Sequence, residues 1–373
     1  MAIPSIVINK QSGNLFRTSP ALDGVTALVL DATAPANFPT SLVVYSMREV
    51  LNAGITDALY PTQHYQINEF FRINPNGTLV LAFGDITSSA TFNVLRANQP
   101  RQVGYFTSDT FSITLAAAAQ ARALELEAAE APCSVIIAAN ITSFTTASLP
   151  DLSGLGYSKV SVVIGQGGTG SKADQLADTS GASVAALGAL LGRLSLCKVS
   201  ESIGFVQNGD VAGTELQELA LANGVALSAL SHAEQNGLDD KHYIFLLKYA
   251  NLSGSYFNFG HTAANNDLNT IELNRVLDKA IRATRRALTP KLNATVALNR
   301  DGSIQGIFIK QFESLVKLEL GQMKANDELS QFDVTINPAQ NILATNTLEV
   351  SVAIVPFGTS KTIEVNIGFQ ASL

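Results

Sequence analysis

Apolar residues recur along this chain of 373 residues in two alternating rhythms. Short runs rich in β-branched side chains, at 26–30, 78–83, 133–138 and 159–164, read as buried strands. Longer Ala/Leu/Glu segments lie between them, with a helix starting at Met47 and another expected over 114–129. Alternation of this kind predicts an α/β layer structure. Val184, Leu187, Leu190, Leu191 and Leu194 then recur at spacings of three and four, so the pattern predicts a helix from Ser183 to near Leu196 that buries one stripe. A further helix is expected over 214–222, a strand over 243–247, and a turn in the Gly/Ser/Asn-rich stretch 251–260.

The last third has a different rhythm. Leu273, Leu277, Ile281, Thr284 and Leu288 line one face of a helix expected over 269–288, which Pro290 stops. Asp301-Gly302 is a two-residue hairpin signal between runs at 295–298 and 303–309, and a second amphipathic helix is expected over 312–323. Two period-two runs end the chain: Leu348, Val350, Val352 and Ile354, then Ile363, Val365, Ile367 and Phe369, separated by Pro356-Phe357-Gly358. At the other end a strand, Ile6-Val7-Ile8, precedes a polar stretch at 9–23 with Gly13 and Pro20 and no helical period, which reads as an arm. The fold class expected is therefore α/β plus α+β, in two domains with extended ends.

Composition changes the picture in one respect. The chain is 46% hydrophobic but only 15% charged, against about 25% charged in a typical soluble domain. Too little charge remains to coat a lone protomer, which favours large interfaces between copies. A net charge of −7 disfavours a general nucleic-acid partner, since phosphate neutralisation needs an excess of Lys and Arg. Cys133 and Cys197 each sit in an apolar stretch and read as buried thiols in a reducing compartment. The start of the chain lacks the basic and apolar regions of a signal peptide, and no apolar run is long enough to span a bilayer, so a cytosol-like location is expected.

Candidate chemistry is sparse. Gly165, Gly167, Gly168 and Gly170, followed by Ser171 and Lys172, have the spacing of a dinucleotide loop after a strand. The expected helix does not open at the third glycine, because 174–181 is polar and punctuated; no acidic ribose partner follows on a second strand; and Ser171 precedes Lys172, the reverse of a phosphate loop. A glycine turn is the better reading. His64, His232, His242 and His261 are scattered without metal-ligand spacing, and no Gly-x-Ser-x-Gly elbow is present. No enzyme, cofactor or metal is expected. Arg275, Lys279, Arg282 and Arg286, spaced by four, three and four, form a basic stripe on the 269–288 helix. It reads either as a solvated face or as a docking surface for an acidic partner protein.

Three stretches resemble the contractile tail sheath proteins of bacteriophages and related injection systems. Tyr65-Gln-Ile-Asn-Glu-Phe-Phe-Arg-Ile-Asn-Pro-Asn-Gly-Thr-Leu-Val-Leu is similar to the helix and strand that begin the family's α/β domain. Gly188-Ala-Leu-Leu-Gly-Arg-Leu-Ser-Leu-Cys-Lys-Val-Ser-Glu-Ser-Ile-Gly-Phe-Val resembles a segment of smaller phage sheath proteins. The C-terminal order resembles the family most: Asn274-Arg-Val-Leu-Asp-Lys-Ala280, a proline-stopped helix, the Asp301-Gly302 hairpin, a helix, and Val352-Ala-Ile-Val-Pro356 leading into the last run.

That resemblance implies a two-domain sheath-like protomer: an N-terminal arm at 1–24 joining the inner domain, an outer α/β domain at 25–237, and an inner α+β domain at 238–373 whose strand arm covers roughly 359–373. It implies a virion-tail or injection-machine sheath assembled in the bacterial cytoplasm, a helical lattice of copies around an inner tail tube protein. Baseplate and tail terminator proteins would be further partners, with no membrane insertion. The sleeve would contract to drive the tube through a target envelope. Arms add strands to neighbouring subunits in that family; the matching positions here are Ile6 and Ile8, and Ile363, Val365, Ile367 and Phe369. The tube contact would come from a charged helix, carrying either the basic stripe or Lys310, Lys317 and Lys324. The alternatives are a nucleotide-dependent α/β enzyme using Gly165 to Lys172, or another virion structural protein such as a tube or capsid subunit.

Overall fold

In the computed structural model, which describes residues 22–365, the first apolar run forms strand β1 (Thr26–Leu30), buried at every position. Such a strand needs neighbours on both edges and cover on both faces. A seven-stranded sheet provides them, in the order β2 (Leu42–Val44), β3 (Leu79–Phe83), β1, β4 (Gln102–Thr110), β5 (Ser134–Asn140), β6 (Val160–Val163) and β9 (Tyr243–Ile244). All pairs are parallel except β2 with β3. Since β9 extends this sheet, the sheet runs past residue 237, the expected edge of that domain.

Strand β4 lies at the centre of the sheet and was not legible in the sequence. It mixes Gln102, Gly104 and Thr107 with apolar residues, yet Leu191 and Leu187 of α6 (Leu187–Leu196) occupy the space where a Cβ on Gly104 would be. The amide nitrogen of the buried Gln102 donates across the strands to the Thr26 hydroxyl at 2.7 Å.

Helices α1 (Met47–Asn52), α2 (Pro61–Ile73), α3 (Ser89–Asn93) and α4 (Ile113–Ala128) fill the crossovers. Helix α4 starts where Ser112 caps it, accepting from the Leu115 N–H at 3.1 Å. Helices α2 and α6 cross at backbone contact. A Cβ on Gly188 would stand 1.9 Å from the Gln66 carbonyl oxygen, and one on Gly192 would stand 2.9 Å from that of Phe70. Gln66 clamps the crossing by accepting from the Gly188 N–H and donating to the Ala185 carbonyl, both at 2.7 Å.

Helix α6 begins four residues later than its apolar spacing suggests. The Ser183 hydroxyl donates to the Ala222 carbonyl at 2.6 Å, Val184 N–H donates to the Gln166 side chain at 3.1 Å, and Ala186 N–H donates to the Gly165 carbonyl at 2.7 Å. These long-range bonds take the groups a first helical turn would use. The helix expected over 214–222 is absent: Leu219–Leu221 form β8, which pairs with β7 (Gly165–Gly167). Helix α7 (His232–Asp240) and the small pair β10 (Leu246–Leu247) and β11 (Tyr256–Phe257) complete this part.

The second core lies between α8 (Ile271–Leu288), α9 (Gly306–Ala325) and a hairpin of β12 (Gln331–Thr335) and β13 (Ser351–Val355), with a short α10 (Ile342–Thr345) between those strands. Val276, Ala280 and Ala283 meet Val316, Leu320 and Met323, with Val334 above them. Helix α9 starts at Gly306, earlier than expected, so the Asp301-Gly302 turn closes a single bridge, Leu298 to Ile304, rather than a full hairpin. The turn itself is present: Gly302 has φ +83, and the Asp301 carboxylate accepts from the N–H and hydroxyl of Ser303.

Candidate subunit-interaction site

The hairpin β12–β13 is a two-stranded sheet, and its inner face alternates as the sequence requires. Phe332, Val334, Val352 and Ile354 point toward the helices, while Gln331, Asp333, Ser351 and Ala353 are exposed. Val352 and Ile354 remain only half covered. Beside them lies a cavity of about 390 Å³ lined by Leu277, Ala280, Ile281, Thr284, Arg285, Val352 and Ile354, almost wholly apolar. Among the described residues β13 has one partner strand, so its second edge leaves backbone N–H and C=O groups unpaired next to an unfilled apolar groove. An edge with those two properties is a template for another strand.

Among the described residues, the tail beyond Val355 does not line the groove. After Val355 it runs through Pro356 and Phe357 to Lys361, whose ammonium donates to the Asp239 carboxylate at the end of α7 and lies 4.9 Å from the Phe259 ring centre. His261 Nε2 is 2.9 Å from the other Asp239 oxygen and its ring stacks on His242 with centroids 4.6 Å apart. Burial pushes the Asp239 carboxyl up, but the hydrogen bonds from His261 and Lys361 outweigh it and hold the group well below the usual carboxylate range. Lys361, at the root of the tail, is thereby tied to the sheet-bearing part of the molecule. Ile363 and Val365 follow, 79% and 70% exposed and with no strand partner among the described residues. Ile6, Ile8, Ile367 and Phe369 lie outside the described residues.

The basic stripe is not one solvated face. Arg275 is 3% exposed and its guanidinium donates to the carbonyls of Cys197, Lys198 and Asp23. Lys279 is paired with Asp23 and Glu328, and Arg282 lies against Asp23 and the Pro132 carbonyl. These three join α8 to the rest of the protomer, because the residues before β1 and the α9–β12 turn bring acids and carbonyls against them. Arg286 is exposed and ion-paired with Glu319. Lys317 and Lys324 are exposed on α9, the first beside Glu313 and the second donating to Gln331.

The glycine loop is explained by packing. A Cβ on Gly165 would meet the Leu246 backbone at 2.9 Å, and one on Gly167 the Glu215 carbonyl at 2.5 Å. A helix does open after the loop, contrary to the reading of 174–181 as irregular: α5 (Lys172–Ser180), capped by Ser171. Its polar surface hid it, since only Ala173 and Leu176 are buried. Asp174 accepts from the Gly170 N–H at 2.9 Å and Glu215 from the Lys172 N–H at 2.8 Å. Two carboxylates thus occupy N–H groups that a phosphate would need, and their charge repels one. Among the described residues no group of His, Cys, Asp and Glu could hold a metal, and no helix is long and apolar enough to cross a membrane.

Sequence reasoning missed this edge because it missed β12. The alternation of Phe332, Val334 and Ile336 was the available signal, a short run cut off by Asn337-Pro338.

Two family models cover the chain: one described as DUF2586, N-terminal domain, over residues 3–261, and one described as DUF2586, C-terminal domain, over residues 267–373. No curated protein sequence matches. The fold is shared over full length with solved chains of low identity. A chain of the cryo-EM structure of the anti-feeding prophage baseplate, six-fold symmetrised, is 13% identical with a TM-score of 0.63, covering 99% of both chains. A chain of the anti-feeding prophage helical sheath in its contracted state is 13% identical with a TM-score of 0.62, covering 100% of both. A chain of an extracellular contractile injection system, the PVC sheath complex in contracted state, is 12% identical with a TM-score of 0.54, covering 100% of this chain and 98% of that one.

Proposed function

The chain belongs to the DUF2586 family, and we propose that it is a structural subunit of a contractile sheath, polymerising helically around an inner tube. The observation that carries this reading is the open edge of β13 beside the apolar groove of Leu277, Ile281 and Thr284, on a fold shared end to end with sheath chains. The occupant is the C-terminal run of a neighbouring copy. Its alternating Ile363, Val365, Ile367 and Phe369 would turn one apolar face onto the groove while its backbone pairs with β13. In this reading Lys361, tied to Asp239, marks where the run leaves its own protomer, and each copy donates to one neighbour and accepts from another. Such a contact is head to tail and does not close, which generates a helix of subunits.

In this reading the N-terminal strand at Ile6 and Ile8 extends the same mesh, and the outward cations Arg286, Lys317 and Lys324 face the tube or a neighbour. The division between an outer α/β domain and an inner α+β domain falls near residues 261–271. Contraction is a rigid-body change between two packings of the lattice, with the donated strands as hinges. The sheath would belong to a phage tail or related injection machine, with baseplate and terminator proteins at its ends.

Negative-stain microscopy of the purified protein tests the proposal. Helical tubes or stacked rings are the expected result. A small oligomer that stays monodisperse at every concentration and salt, with residues 362–373 protected from protease, contradicts it.

A further inference from the structure

We propose that the cleft between α8, α9 and the entrance to β4 binds a phosphate-type oxyanion, held between the guanidinium groups of Arg101 and Arg282. The chain carries a net charge of −7, yet Arg101, Lys279, Arg282 and Arg286 all line one cavity of about 270 Å³. Three acids share that wall, and two of the cations consume them. Lys279 takes Asp23 and Glu328, and Arg286 takes Glu319 through two N–H groups at 2.6 and 3.1 Å.

Arg101 and Arg282 are left with little. Among the described residues, Arg282 has the Pro132 carbonyl at 3.3 Å and an oxygen of the shared Asp23 at 3.6 Å, with Asp278, already paired with Lys159, acting at longer range. Arg101 donates from one terminal nitrogen to the Gln99 carbonyl at 2.9 Å, and its Nε is buried with no partner among the described residues. Burial, and next the charge of Arg101, pull the Arg282 guanidinium down to about 10 against the opposing pulls of Asp278 and Asp23.

Two like charges in a partly buried cleft are costly unless anions offset them, and Asp23, the carboxylate of this wall that acts on both, is already paired with Lys279. A tetrahedral dianion answers this better than a single carboxylate, because it offers oxygens to two planar forks at once. The cavity has room for it. Bound there, it would tie α8 to the strand entrance at Arg101, across the junction between the two hydrophobic cores. This site does not depend on the sheath reading.

The test is thermal unfolding of the full chain in inorganic phosphate, with sodium chloride and sodium acetate at matched ionic strength. Phosphate is expected to raise the melting temperature saturably, by about 2 °C or more at high occupancy. The rise should vanish in R101Q and R282Q and persist in R48Q, which removes the same charge from an exposed position. A rise no larger than that in chloride, or equal in R101Q and R282Q, overturns the site. Acetate matching phosphate overturns the phosphate assignment. Should R282Q fail to fold, calorimetric titration of the native chain with phosphate decides, and absence of heat beyond dilution refutes the proposal.

Discussion

The ammonium of Lys159, at the entrance to β6, donates to the carboxylate of Asp278 in the middle of α8, with both side chains almost fully buried. This pair ties the sheet to the helical pair that carries the groove. Removing Asp278 leaves the buried Lys159 ammonium with only the looser, partly exposed Glu127 at 3.6 Å among the described residues, and breaking a buried pair costs about 3–5 kcal/mol. D278A is therefore expected to lower unfolding free energy by that order. K159M/D278L should cost less than D278A alone, since neither charge is then stranded. Denaturant unfolding of the three proteins checks the ordering, and equal stability of D278A and native protein would refute the role assigned to the pair.

Ile281 lines the groove beside β13 and is only half-buried in the protomer. I281K is expected to leave the protomer folded, within about 1 kcal/mol of native, as substitutions outside a packed core usually do. It should nevertheless abolish tubes by placing a charge where the donated strand packs. Deletion of residues 362–373 should give the same outcome from the donor side. Mixing the two defective proteins restores no continuous lattice, because each lacks one half of the contact. Tubes formed normally by either protein would show that this edge is not the acceptor.

Glu272, in the first turn of α8, is buried with neither carboxyl oxygen in a well-formed hydrogen bond. Burial raises its pKa to about 7, against weaker opposing pulls from its backbone N–H, Arg275, Thr270 and Ser202. A folded pKa above the unfolded value of about 4.3 means stability that is complete below that pH and is lost as pH rises through about 7. Native protein should therefore lose up to roughly 3 kcal/mol relative to E272Q between pH 4.5 and 8. Denaturation midpoints of both proteins across that range measure it, and parallel curves would mean that Glu272 does not titrate there.

Gly188 meets the Gln66 carbonyl so closely that any Cβ must push α2 and α6 apart. Overpacking typically costs about 1–3 kcal/mol, and G188A is expected at the upper end or above because backbone rather than a side chain must yield. Gly237 in α7 has open space around its Cβ position, so G237A should be neutral or stabilising by up to about 1 kcal/mol. Equal melting temperatures for the two variants would contradict the crossing geometry.

The sheet was legible wherever its strands are continuously apolar. Thr26–Leu30 and the cores of β3, β5 and β6 fall where the runs of Val, Ile and Leu place them. Strand β4 was hidden because its neighbours, not its own residues, make it a centre strand. Helix α5 was hidden because only Ala173 and Leu176 face inward. The stretch at 183–186 carries a helical pattern but is committed to distant partners such as Ala222 and Gly165.

At the candidate site the division is sharper. By itself the sequence determined the periodicity: a two-faced helix at Leu277 and Ile281, an alternating strand at Val352 and Ile354, and an alternating tail at Ile363 and Val365. These are local properties of side-chain order. Only tertiary structure decided which edges are open and which charges are free, because both depend on partners distant in the chain. Asp23 and Cys197 turn Arg275 and Lys279 inward, and Asp239 holds Lys361 at the root of the tail.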